Sequence, residues 1–147
     1  MMRALVLGII LIVAPNLYAK EPMPVTAWTK KTLLNTLSVD YKTIDEEHME
    51  YRAGFTMNAW NALKGFLGGY GQTIRDKELS IHPVFLIEPQ VVDSGIAAGV
   101  HFARVNTEVL LPEINVKVAF SVIVIATKPP SSSPYLIQSI SMVKEEK

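Results

Sequence analysis

Ten consecutive residues, Val116 to Ile125, carry only two polar side chains, Lys117 and Ser121. Strict alternation puts Val116, Val118, Phe120, Val122 and Val124 on one face and Ala119, Ser121, Ile123 and Ile125 on the other. A run this short and this β-branched predicts a central strand covered on both sides. Whatever else the chain does, it must build a sheet around this segment. Val100 to Leu111, with His101, Arg104, Asn106 and Glu108 interspersed, reads as a half-exposed neighbouring strand. Tyr135 to Val143 reads as the last strand, with Ile137, Ser139, Ser141 and Val143 facing one way and Leu136, Gln138, Ile140 and Met142 the other. Between them, Lys128 to Pro134 holds three prolines and three serines, which excludes helix and predicts an exposed hairpin connection. Upstream, Leu79, Ile81, Phe85 and Ile87 share one side of an extended segment that Pro83 marks as bulged or at a sheet edge, and Asp93, Ser94 and Gly95 read as a turn.

The first half of the chain has the helical period instead. Trp28, Leu33, Leu34, Leu37 and Tyr41 predict a first helix over Val25 to Tyr41, and the polar stretch Thr43 to Arg52 reads as a connector. Phe55, Thr56 and Trp60 have the spacing of a hydrophobic staple around an N-cap, so Thr56 opens a second helix. Trp60, Leu63, Phe66, Leu67 and Tyr70 continue one face of it, and Gly68, Gly69 and Gly71 end it. The expected core anchors are Trp28, Tyr41, Phe55, Trp60, Leu63, Phe66 and Phe120. Two helices followed by about four strands specify an α+β domain, with helices packed on one face of a curved antiparallel sheet in an open roll.

The start of the chain concerns destination rather than fold. Met1 to Arg3 give a short basic start, Ala4 to Ala14 are uninterruptedly apolar, and Pro15 and Asn16 break the run before Leu17, Tyr18 and Ala19. This is the layout of a signal peptide cleaved after Ala19, and the apolar run is about half the ~20 residues that a membrane span needs. Residues 1–19 are therefore expected to be removed on export to the periplasm, the alternative being an uncleaved form tethered to the inner membrane, with an extended leader over 20–24, one domain over 25–143 and a charged tail over 144–147. Removing Arg3 with the signal leaves 13 Lys and Arg against 14 Asp and Glu, so no strong field draws nucleic acid or anionic lipid. The chain has no cysteine, which excludes disulfides, thiolate metal sites and cysteine nucleophiles.

Val39, Asp40 and Tyr41 after the first helix, Phe55, Thr56 and Trp60 opening the second, and Leu63, Phe66 and Leu67 along its face carry a resemblance. From about Val25 to Val143 the chain resembles the periplasmic domain of the IcmL and DotI family of the Dot/Icm type IVB secretion system. The sheet half follows the family's layout more than its letters. The resemblance implies a VirB8-like roll related to the nuclear-transport-factor-two superfamily, and a scaffold role without catalysis among secretion-system envelope proteins. Family members commonly have a membrane helix where this chain has a signal peptide, a glycine where it has Ala59, and a strand tryptophan near Phe102. The expected role is therefore that of a soluble accessory or structural component.

No residue pattern demands an enzyme. Asp45, Glu46, Glu47, His48 and Glu50 gather possible ligands, but there is no second histidine at metal spacing and such a run ordinarily forms a solvated face. His82 and His101 belong to no recognisable triad, and the glycines at 65, 68, 69 and 71 lack the lysine of a phosphate loop. Asp40 beside Tyr41 is the pair a proton-transfer reading would use, against the plainer one in which Tyr41 fills the core and Asp40 ends a helix. No cofactor or metal is expected. The competing function is a small periplasmic ligand-binding or hydrolytic roll, which a polar cavity reaching Asp40 or His101 would favour. Self-association is expected, if anywhere, along the edge of Tyr135 to Val143.

Overall fold

The computed structural model describes residues 23–46, 52–128 and 131–146. The signal segment with Ala19, and the residues Glu47, His48 and Glu50 of the charged stretch, lie outside the described residues. Among the described residues three longer helices, α1 (Val25–Leu37), α2 (Met57–Gly68) and α3 (Gly71–Asp76), precede four strands, β1 (Val84–Ala97), β2 (Val100–Leu111), β3 (Val116–Ala126) and β4 (Tyr135–Glu146). The strands pair antiparallel in sequence order, which leaves β1 and β4 as the two edges. The helices cover one face of this sheet, so the architecture is the α+β roll that the patterning specifies.

The covered face is built from alternate residues of the two central strands. Val105, Val109 and Leu111 of β2 and Val116, Val118, Phe120, Val122 and Val124 of β3 are buried with Leu33, Leu37, Leu63 and Ile74 of the helices. Each such aliphatic side chain contributes about 1.5–3 kcal/mol by leaving water. The opposite face of β3 corrects an expectation. Lys117, Ser121, Ile123 and Ile125 are half-exposed and Ala119 is exposed, because among the described residues no element packs on that side.

α1 is shorter than its apolar spacing suggests. It ends at Leu37, and Val39 to Tyr41 leave it to pair in extended form with Leu79 to Ile81, through Ile81 N–H to Val39 O at 2.8 Å and Tyr41 N–H to Leu79 O at 3.0 Å. Asp40 thus stands in a β-bridge opposite Ser80 and does not end the helix. Inside α1, the hydroxyls of Thr29 and Thr36 donate to the carbonyls of Val25 and Thr32, which lets two polar residues sit buried at no hydrogen-bond deficit.

Thr56 caps α2, its Oγ1 accepting the Ala59 N–H at 3.3 Å, and the Phe55 and Trp60 rings meet at 5.4 Å across that cap. The residues α2 buries completely are Ala59 and Leu63, whereas Trp60 and Phe66 are half-buried and flank the core. Small Ala59 lets the helix approach β4 closely, and the large rings are pushed to either side. α3 has no counterpart in the sequence reading, since a six-residue helix that starts on Gly71 looks like the tail of the preceding glycine cluster. Its burial of Ile74 and its Gln72 to Asp76 hydrogen bond sustain it.

In the sheet, β1 runs straight through Asp93, Ser94 and Gly95, and the turn falls at Ala98 and Gly99, whose φ angles are 49° and 77°. Two consecutive positive φ values make the two-residue loop that matches the twist of a hairpin. β4 carries a bulge at Gln138, between the pairs Ile137 with Val124 and Ser139 with Ile123. The extra residue reverses the alternation, so Ile137, Ile140 and Met142 face the core while Ser139, Ser141 and Val143 face solvent. β4 also continues through Lys144 and Glu145, which pair with Val118 and Lys117, so these charged residues belong to the strand.

Candidate functional site

Of the residues that tempt a catalytic reading, Asp40, Tyr41 and His82 are tied into the scaffold. Asp40 accepts the Ser80 hydroxyl on one carboxylate oxygen at 2.6 Å and the Lys42 N–H on the other at 2.8 Å. The Ser80 hydrogen bond foremost, then that from Lys42, holds its carboxyl below the ordinary aspartate value. Tyr41 packs its half-buried ring against the core under the Lys42 ammonium, 5.7 Å from the ring centre. His82 is exposed and precedes β1; its Nδ1 and its backbone N–H both lie against Glu113 Oε1, at 2.9 and 3.1 Å. His101 is exposed on the β1–β2 hairpin. Asp40, His82 and His101 therefore form no common centre, and no cluster of three metal-ligating side chains occurs among the described residues.

A cleft of about 490 Å³ opens between the end of α1, residues 39–46, and the faces of α2 and α3. Its walls include Val39, Ile44, Trp60, Leu67 and Lys64, and the Asp45–Arg75 ion pair closes one side, with contacts of 2.6 and 3.3 Å. That hydrogen bond lowers the Asp45 carboxyl and raises the Arg75 guanidinium. Neither Asp40 nor His101 lines the cleft. Phe120 lies beneath the helices in the core, and Trp60 forms part of the wall.

The surface most out of keeping with a solitary globular domain is the edge strand β1. Val84, Leu86, Ile87, Val91, Val92 and Ile96 are all exposed on it, and Val100 continues the strip around the hairpin turn. Exposed apolar residues gathered on an edge that no other described strand pairs with form a surface for adding another strand. The sequence reading missed it because this run was split by the supposed turn at Asp93 to Gly95. The other edge, β4, is partly closed: Ile137 N–H donates to Gly54 O at 2.8 Å and Thr56 N–H to Ile137 O at 2.9 Å, so residues 54–56 act as a short fifth strand there.

The fold as a whole is shared with solved structures. The chain has the fold of the DotI periplasmic domain. The two superpose with a TM-score of 0.68 at 14% identity, over 81% of this chain and 92% of that one. A periplasmic fragment of TraM gives 0.66 at 13% identity over 81% and 94% of the two chains. An IcmL-like type IV secretion system protein from Legionella pneumophila gives 0.63 at 13% identity over 83% and 91%. At these identities the likeness is one of fold. No protein-family model matches the chain, and no curated protein matches its sequence at a significant level. Among the described residues, no helix is long and apolar enough to cross a membrane.

Proposed function

We propose that this chain is a non-catalytic periplasmic interaction module, an accessory or structural component of a type IVB-like secretion system. The carrying observation is that its fold spans nine-tenths or more of three solved relatives in fold, two described as periplasmic pieces and one as a type IV secretion system protein. Export by a signal peptide cleaved after Ala19 belongs to the same reading, as do partners among secretion-system envelope proteins. Asp40, Asp45 and Glu113 being spent on structural hydrogen bonds supports a scaffold role, and the apolar β1 edge supports a role in contacts.

Cross-linking in intact cells, followed by purification of the tagged chain and identification of what accompanies it, tests this reading. Recovery of type IV secretion subunits is expected; a chain found in the cytoplasm, or one that repeatedly emerges without such subunits, overturns it. The cleft beside Trp60 and Lys64 is what favours the second reading, a ligand-binding or hydrolytic roll, and saturable binding of a small molecule there would carry it.

A further inference from the structure

We infer that two copies of this chain join edge to edge through Asp93–Ala97 of β1, antiparallel about Gly95, so that their four-stranded sheets become one. The first half of β1 is defended against such pairing. Register shifts fall between Phe85 and Ile87, between Ile87 and Gln90, and between Val91 and Asp93, and Pro89 has no N–H to offer. Glu88 there is held by Lys30 at 2.8 Å. Beyond the last shift, Asp93 to Ala97 run in unbroken step with Arg104 to Val100, and this is the one stretch of the edge where a further strand can lie flat.

Side chains around that stretch say which strand it takes. Ile96 is 63% exposed, and Val91, Val92 and Val100 are exposed around it, so an added strand removes apolar surface from water. The stretch carries a single charge, Asp93, which has no partner among the described residues. Antiparallel pairing about Gly95 places Asp93 opposite Ala97 of the second copy and Ser94 opposite its Ile96, so that no acid faces an acid. With 14 basic and 14 acidic residues, the chain also has no net charge to hold its copies apart.

Gly95 marks the symmetry point. Its φ is not positive, so no backbone conformation calls for glycine there. A Cβ at Gly95 would instead lie 3.3 Å from the Phe102 ring, which rests over this position on the solvent face of the sheet. At a Gly95–Gly95 pair, the two Phe102 rings lean in from either side and cover a row that is otherwise bare backbone. The β4 edge offers nothing comparable, since residues 54–56 occupy it at Ile137 and Lys144 and Glu145 lie along its far end.

The inference stands apart from the secretion reading, because self-pairing and recovery of secretion subunits can each succeed or fail alone. It is tested on the purified full chain by sedimentation across concentrations. A reversible dimer with a dissociation constant of micromolar order is expected, weakened at least about tenfold by Ile96→Lys; a monomer up to about 1 mM, or a dimer that a folded Ile96→Lys variant leaves unchanged, overturns it. The lack of native cysteines supplies a second readout. A mixture of Asp93→Cys and Ala97→Cys chains, whose altered residues face each other in this pairing, is expected to form a covalent dimer on mild oxidation while Ser141→Cys on β4 does not, and the reverse result overturns the assignment to β1.

Discussion

Thr56 Oγ1 donates to the carbonyl of Gln138 at 2.7 Å, so the residue that caps α2 also grips the bulge of β4. One hydroxyl thereby serves as acceptor within its own helix and as donor to a strand 82 positions away. With Phe55 packed on Trp60 beside it, the helix start and the sheet edge form one joint.

Replacing Thr56 by alanine removes both bonds. The expected loss is about 1–2 kcal/mol of unfolding free energy in urea titration, with Thr56→Ser retaining most of it. Equal destabilisation by Ser and Ala would show that the hydroxyl is not the source.

Leu63 is fully buried where α2 lies on the sheet. Leu63→Ala is expected to cost about 2–5 kcal/mol, since it leaves a cavity between packed elements. The same change at exposed Leu34 should cost well under half as much, and comparison of the two urea midpoints checks the packing.

Acid should loosen the joint between Asp40 and Ser80. The folded value of Asp40 is depressed by the Ser80 and Lys42 hydrogen bonds, so between the folded and unfolded values the unfolded chain binds more protons and stability rises with pH. This contribution is complete above the ordinary carboxylate range and is lost as pH falls through the folded value. Glu113, where burial works against depression but hydrogen bonds from its own backbone and His82 outweigh it, acts in the same direction. The stability advantage of wild type over Ser80→Ala is therefore expected to shrink as pH falls below the ordinary carboxylate range and through the folded value of Asp40. A constant difference over that range would exclude the mechanism.

The β1–β2 turn holds an alanine at φ 49°. Ala98→Asn would give the Asn-Gly pair that such turns favour, and a gain of about 0.5–1 kcal/mol in thermal or urea unfolding is expected. No gain would mean that the turn conformation is not what limits this hairpin.

What could be read from the residues alone is local or strictly periodic. The alternation of Val116 to Val124 and the five-residue spacing of Phe55 and Trp60 each express contacts within one element, so helix, strand and the α+β order follow from the letters. The choices made between distant segments are another matter. Leu37 ends α1 because Val39 to Tyr41 find backbone partners at Leu79 to Ile81, about forty residues on. Gln138 bulges where Thr56 grips it, and that single extra residue exchanges the two faces of β4. Among the described residues the solvent side of β3 stays uncovered because α1, α2 and α3 go to the other face, and β1 runs on as an edge strand because the true turn lies at Ala98 and Gly99. A sequence pattern records how a segment is built, whereas pairing and coverage depend on which remote groups satisfy its backbone and bury its sides, and only the tertiary structure decides those.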